Sequence, residues 1–362
     1  MRLLLASLFC LPLLLAQNPS SSWYPPLNLQ GKNRPISTYL AELSRHGGFA
    51  IADLRSDRDK VTSATLDLPA VSLWQGLEVL AERTGARVQF AREGGLVLVS
   101  APTGYRPPPT SYDGPFRLRV VRVTSSRDLE LQASSTVVTV ELAWLPSLLP
   151  LFVDTHLRQV HVTDSKNTPL VTQEEGGSLT PVDGRYSFPL ELTVSGVPRS
   201  ESRLASITGE VRAVVPSKFL TFRFDADLVS LQQSAADSAL RRLVQDQVIC
   251  RVERLVVGPD RWSVQVSLAY PPGGKSLESY QASSLVINNE LRLVTSDGRK
   301  SLVSSGNLVE FVSSRRALVT YHFTDRPGQK RGSLADWKLQ YRAPARILEV
   351  PIRFKFQDVP LP

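Results

Sequence analysis

From residue 116 to the end, apolar and polar side chains alternate in short runs. Trp262, Val264, Val266, Leu268 and Tyr270 take one parity, and Ser263, Gln265 and Ser267 take the other. A period of two predicts a half-buried antiparallel strand. Val182-Asp183-Gly184-Arg185, Pro271-Pro272-Gly273-Gly274 and Ser296-Asp297-Gly298-Arg299 are turn signals between such runs. Residues 35–101 follow another pattern. Ile36, Tyr39, Leu40 and Leu43 recur at helical spacing and Gly47-Gly48 ends them. Phe49 to Leu54 and Ala64 to Leu68 read as strands around a charged turn, Ser56 to Lys60. Ser72 and Gln75 form an S-x-x-Q capping box for a second helix, with Leu73, Leu77, Leu80 and Ala81 on one stripe and Gly85 as its stop. Arg87 to Phe90 and Leu96 to Ser100 then read as a hairpin across Glu93-Gly94-Gly95. The expected order is helix, strand, strand, helix, strand, strand.

The β-rich part appears twice. Arg119-Val120-Val121-Arg122-Val123 parallels Arg251-Val252-Glu253-Arg254-Leu255, and 251 − 119 is 132. Val162-Thr163-Asp164-Ser165 parallels Val294-Thr295-Ser296-Asp297, Leu170 parallels Leu302, and Phe222-Arg223-Phe224 parallels Phe354-Lys355-Phe356, all at the same offset of 132. The segment from Val138 to Pro146 matches Val264 to Pro272 at 264 − 138 = 126, an indel that later cancels. Segments matching in the same order argue for duplication. The expected fold class is mainly β: a small α+β N-terminal domain followed by two tandem immunoglobulin-like β-sandwich domains. The boundaries are a disordered leader at 17–34, the α+β domain at 35–101, and a Pro-rich linker at 102–115 carrying Pro107-Pro108-Pro109. Repeat 1 follows at 116–228, a connecting helix or linker at 229–247, and repeat 2 at 248–362. Three prolines in a row favour an extended, semi-rigid spacer.

The stretch Leu68-Pro69-Ala70-Val71-Ser72-Leu73, then Arg83-Thr84-Gly85, then Gly95-Leu96-Val97-Leu98-Val99 resembles the short N-terminal domain of secretins and TonB-dependent receptors. The resemblance runs from Pro35 to Ser100. It implies a strand, a turn into a helix, a strand, a turn and a final strand. It also implies an envelope-facing protein-contact module without catalysis. The quoted residues are packing and turn residues, and no outer-membrane barrel pattern follows, so pore or transporter function is not implied.

Arg2, the apolar run Leu3 to Leu15 and Leu14-x-Ala16 have the layout of a secretory signal peptide at 1–16. The run is short for a membrane span of about 20 residues. An uncleaved anchor and a lipoprotein at Cys10 are the alternatives, and Phe9 before Cys10 argues against lipidation. The expected location is therefore exported: periplasm, cell envelope or outside. Removing the signal leaves Cys250 alone, so no internal disulfide is expected, and Cys250 reads as a small buried hydrophobe. The net charge is +8 with basic residues interspersed among acidic ones. That bias favours anionic surfaces such as wall polymer. Nucleic acid is not expected, because no run combines basic residues with stacking aromatics.

No catalytic constellation stands out. His156 and His161 are five apart on a strand, which would set them on opposite faces, and His46 and His322 are distant in sequence. There is no H-E-x-x-H, C-x-x-C or G-x-S-x-G. Gly274-Lys275-Ser276 lacks the first glycine of a phosphate loop, since position 269 is Ala. Glu174-Glu175 reads as a solvated pair in a Gly-rich loop, and Asp225 and Asp227 have no further oxygen ligands at calcium spacing. Neither metal nor cofactor is expected. Trp144 and Tyr270 occupy matching places in the repeats. They are either core packing or an aromatic platform for a ligand such as a sugar. The expected activity is non-catalytic binding or scaffolding of an envelope protein; the alternative is binding of an anionic wall polymer or carbohydrate.

Overall fold

The computed structural model describes residues 24–56, 61–91, 94–130, 133–173, 176–270, 289–313, 315–325 and 330–362. The signal-peptide reading of 1–16 lies outside them. So do the end of the charged turn at 57–60, Glu174-Glu175, the Pro-Pro-Gly-Gly turn and Gly274-Lys275-Ser276. Among the described residues no helix is long and apolar enough to cross a membrane.

The N-terminal part runs β1 (Leu27–Pro35), α1 (Ile36–Gly47), β2 (Ile51–Asp53), β3 (Ser63–Val71), α2 (Leu73–Arg83), β4 (Ala86–Phe90) and β5 (Leu96–Ser100). The capping box forms as the sequence dictates. Gln75 N–H donates to Ser72 Oγ at 3.2 Å and Ser72 N–H donates to Gln75 Oε1 at 3.0 Å. The helical stripe is buried, and so are Trp74 and Gly76. The leader reading needs correction, because Leu27–Pro35 is a strand paired antiparallel with β3. Its short Leu27-x-Leu29 alternation is flanked by Asn, Gln and Lys, which hid it. Leu29 is completely buried, and Gly76 on α2 makes room for it: a Cβ there would lie 2.5 Å from Leu29 Cδ1.

The first repeat holds β6 (Thr110–Asp113), β7 (Phe116–Asp128), β8 (Ala133–Trp144), β9 (Phe152–Asp164), β10 (Pro169–Gln173), β11 (Leu179–Pro181), β12 (Ser187–Ser195) and β13 (Arg203–Asp227). A short helix, α3 (Leu228–Gln233), and one 3₁₀ turn at Ala239–Arg241 follow. The second repeat holds β14 (Arg242–Gln245), β15 (Val248–Val257), β16 (Arg261–Ala269), β17 (Glu290–Thr295), β18 (Ser301–Val303), β19 (Gly306–Val312), β20 (Arg316–Thr324) and β21 (Trp337–Pro360). The chain is mainly β, arranged in several sheets. One sheet has eleven strands in the order β18-β17-β21-β13-β9-β10-β12-β8-β7-β6, with β11 attached to β9. A five-stranded sheet has the order β14-β15-β16-β20-β19.

Two further boundaries change. Within the expected spacer 102–115, Thr110–Asp113 is β6, paired with β7. Its counterpart β14 lies inside the expected connecting segment 229–247 and pairs with β15. Thr110 and Arg242 differ by 132, so each strand opens its repeat.

The division at residue 228 also fails, and for a larger reason. β13 has 25 residues and β21 has 24, against a usual strand of about 3–10. They pair antiparallel along most of their length, from Arg203↔Pro360 to Arg223↔Gln340. At about 3.3 Å per residue each spans roughly 80 Å, too long for one sandwich of immunoglobulin size. Each strand starts in its own repeat and ends in the other. Leu204, Ile207 and Val211 at the start of β13 lie in the core with Phe116, Val140 and Trp144, but Leu220, Phe222 and Phe224 lie with Cys250, Trp262 and Tyr321. Conversely Trp337, Leu339 and Tyr341 at the start of β21 belong to the second core, and Ile352, Phe354 and Phe356 to the first. Val215 pairs with Leu348 and Pro216 with Ile347. Since 347 − 215 and 348 − 216 both equal 132, the repeat offset exchanges the two strands about a point between these pairs. The two long strands are thus related by a local two-fold axis that matches the sequence offset.

At that waist β9 stops pairing at Val214, and β17 stops at Arg342. Pro216 and Pro344 fall in the two-stranded stretch between. A missing N–H is tolerated there, because each outer edge lacks a neighbouring strand. The exchange makes a prediction. Phe222→Ala should cost about 3–5 kcal/mol and lower hydrogen-exchange protection in β15 and β16, although Phe222 belongs by sequence to the first repeat. Phe354→Ala should instead lower protection in β8 and β12. The reverse assignment would contradict the exchange.

Candidate protein-contact site

The matched aromatics do not form a platform. Trp144 is 1% exposed in the first core, with Phe116 opposite it on β7. Tyr270 is half-buried against the second core, and burial pushes its phenol up to about 12. Their backbones repeat each other: Trp144 N–H donates to Tyr186 O at 3.2 Å and Tyr270 N–H to Arg315 O at 2.8 Å. Trp144 ends β8 and Tyr270 directly follows β16, each packed on a core, so their common pattern in sequence reflects packing.

The other candidates also resolve into packing or solitary groups. Cys250 is completely buried in the second core, and desolvation pushes its thiol well up. His46 Nε2 lies 3.0 Å from Pro25 O, and His322 Nδ1 lies 3.0 Å from Ser263 Oγ. Among the described residues no three His, Cys, Asp or Glu side chains gather closely enough to hold a metal ion.

The N-terminal domain is docked directly on the first repeat, a contact the spacer reading missed. Trp74 on α2 donates its indole N–H to Pro115 O at 2.9 Å, and Ala143 and Leu145 enter the N-terminal core. Arg117 on β7 lies over the Trp74 ring at 4.4 Å. Its guanidinium also bonds Glu78 at 2.7 Å and Glu141 at 2.9 Å, while Arg119 bonds Glu78 at 2.5 Å. Phe90 on β4 stacks on Tyr186 at 5.4 Å. Burial, with Glu78 beside it, pushes the Tyr112 phenol up to about 12. The signal available in sequence was Trp74 and Glu78 four apart on one helix face.

The open edges of the sheets differ. The far half of β21 is an edge, and its N–H groups are taken by side chains: Arg353 N–H by Asp113 Oδ2 at 2.8 Å and Lys355 N–H by Ser111 Oγ at 3.0 Å. The two-fold mate of the first contact is Thr221 N–H to Gln245 Oε1 at 3.2 Å, with 245 − 113 and 353 − 221 both 132. By contrast β19, the last strand of the five-stranded sheet, leaves apolar side chains in solvent. Leu308 is 58% exposed, Val309 38% and Phe311 51%. A register shift between Val309 and Phe311 sets Leu308 opposite Thr320 and Phe311 opposite Leu318. Positions 318 and 320 share a strand face, so Leu308 and Phe311 lie on one side of the sheet. Glu310, the one charge on β19, is turned back over the sheet to accept hydrogen bonds from Thr320 Oγ1 and from Gln265 Nε2. These bonds, Thr320 first, hold its carboxyl below the usual range.

No protein-family model, no curated protein and no solved structure matches the chain.

Two outcomes follow from these sites. Glu78→Gln leaves Arg117 and Arg119 facing a neutral amide in a largely desolvated contact, so stability should fall by about 3 kcal/mol. Limited proteolysis should then cut faster within residues 102–109. Burial, and then Arg261, hold His322 below its ordinary value of about 6.5. The folded protein therefore takes up this proton less readily than the unfolded chain. Stability linked to His322 is full above about pH 6.5 and declines as the pH falls below it. The urea midpoint should drop from pH 7.5 to 5.5, and His322→Gln should flatten part of that drop.

Proposed function

We propose that this chain is an exported cell-envelope protein that binds or scaffolds other proteins without catalysis. The observation that carries the reading is β19. A seven-residue edge strand with three exposed apolar side chains, no proline and its one charge folded away is a template for a further strand. The edges of β21 and β13 sharpen the contrast, since side chains take two N–H groups of β21 and one of β13. The signal-peptide layout of residues 1–16 supports export. The order β3, turn, α2, β4, turn, β5 follows the order implied by the secretin-like resemblance, which supports an envelope contact module. We read the two β-rich units as immunoglobulin-sized sandwiches that share their longest strands. That sharing suits a scaffold holding its contact edge at a constant position relative to the N-terminal domain. The alternative, an anionic wall polymer as ligand, keeps the positive charge as its support but loses the aromatic platform.

In a crosslinked pull-down from envelope extract, the wild-type chain should retain a small set of protein partners. Leu308→Asp combined with Phe311→Asp should lose them while the thermal unfolding midpoint stays within a few degrees. Retention of the same partners by the double variant would exclude β19 as the contact.

A further inference from the structure

In the first repeat, α2 docks on the outward face of β6 and β7. Tyr112 and Ala143 pack there on the N-terminal core, and Arg117 and Arg119 bind Glu78. The same strand pair recurs in the second repeat as β14 and β15. The offset of 132 carries Thr110, Tyr112, Arg117 and Arg119 to Arg242, Val244, Ile249 and Arg251. The β8 offset of 126 carries Ala143 to Ala269. The register is kept: Tyr112↔Arg117 and Thr110↔Arg119 correspond to Val244↔Ile249 and Arg242↔Arg251. Val248, Cys250 and Val252 alternate with these residues and are buried, so Ile249 and Arg251 face outward.

The first face is covered by α2, and the second stands open. Val244 is 53% exposed where Tyr112 is half-buried, and Arg242 is exposed. Charge differs in the same way. Arg119 has the Glu78 carboxylate, but Arg251 stands directly opposite Arg242, and like charges so placed are unfavourable. Among the described residues neither Arg242 nor Arg251 forms an ion pair, with Asp237 on the adjoining loop or with any other carboxylate. One Arg251 N–H goes to Ala236 O at 2.8 Å. Nε of Arg119 and Nε of Arg251 are alike shut off from solvent without a hydrogen-bond partner. Glu253 is engaged elsewhere, by Ser267 Oγ and by Arg316 at 3.8 Å.

We propose that the outward face of β14 and β15 is a second docking surface. It takes a helix of a partner protein that presents an apolar side chain and, one turn further on, a carboxylate, as α2 presents Trp74 and Glu78 to the first repeat. The apolar group would lie on Val244, Ile249 and Ala269, and the carboxylate would meet Arg242 and Arg251. Charge complementarity and the correspondence with an occupied contact select this occupant. A second copy fits less well, because its own α2 is held by Arg117, Arg119 and Pro115 O. β14 and β19 are opposite edges of the five-stranded sheet, so this surface is independent of the β19 reading.

The test uses the whole chain without residues 1–16 and two capped, fluorescein-labelled, stapled helices, read by fluorescence anisotropy. One probe is Ala-Trp-Ala-Gln-Ala-Glu-Ala-Leu-Ala, and the other has Lys in place of Glu. The Glu helix should bind about tenfold tighter at low salt, with the gap closing at high salt. Arg242→Glu with Arg251→Glu should reverse the order. Val244→Asp, at an exposed position, should weaken both helices about tenfold with an unchanged thermal unfolding midpoint. Leu308→Asp with Phe311→Asp should change neither. Equal binding of the two helices, no binding of either, or binding unaltered in the arginine and Val244 variants would overturn the inference. Loss of binding in the Leu308/Phe311 variant would overturn it in favour of β19. A concentration-dependent dimer in sedimentation velocity, lost in Val244→Asp, would overturn it in favour of a second copy.

Discussion

The antiparallel pairing of β13 with β21 is the constraint on which the rest of this molecule depends. Each strand supplies one half to the core of its own repeat and the other half to the core of its partner. Neither core closes without both strands. Phe222 and Phe224 fill a core made mostly by residues after 248, and Phe354 and Phe356 fill one made mostly by residues before 216. The backbone ladder between the strands links the two cores, so stability in one unit is tied to stability in the other. Gly209 shows how close the fit is. It stands opposite Phe354, and a Cβ there would lie 2.5 Å from the ring.

The N-terminal domain is tied to this frame by a second kind of interaction. Arg117, Arg119, Glu78 and Glu141 are drawn out of water at the contact, where an unpaired charge would be costly. Trp74 combines three roles there: apolar burial, an indole hydrogen bond to Pro115 O, and a face for the Arg117 guanidinium. The contact holds α2 and β4 against the first repeat. The described parts of the chain then form a series, with the docked domain at one end and the five-stranded sheet of the second repeat at the other.

Sheet edges show where that series is closed and where it is open. Asp113 and Gln245 occupy two-fold-related positions and take N–H groups of the exchanged strands. The two repeats therefore solve the same edge problem in the same way. They differ on the opposite side. In the first repeat β10 joins β9 to β12, whereas in the second β18 stays with β17, and β19 stands as the outer neighbour of β20. The exposed apolar side chains of β19 lie where the two units differ in strand order.

Much of the local structure was written in the sequence. Period-two runs marked β8 and β16, a helical stripe marked α1, and a stripe with a capping box marked α2, because each signal lies within one element. The fixed offset of 132 marked matching segments, and β13 and β21 pair about a point that keeps the same offset. β1 and β6 were less legible: Leu27-x-Leu29 and Thr110–Asp113 are short and polar, and become strands by pairing with β3 and β7. What the sequence could not decide is which core each half of β13 and β21 enters. Phe222-x-Phe224 and Phe354-x-Phe356 have the same alternation whichever core receives them, so only the long-range ladder of the folded chain settles the exchange. The fate of Trp144 and the exposure of Leu308 and Phe311 follow the same rule. An aromatic or aliphatic side chain has one hydrophobicity, and the strands that cover it, or leave it open, are chosen by tertiary pairing.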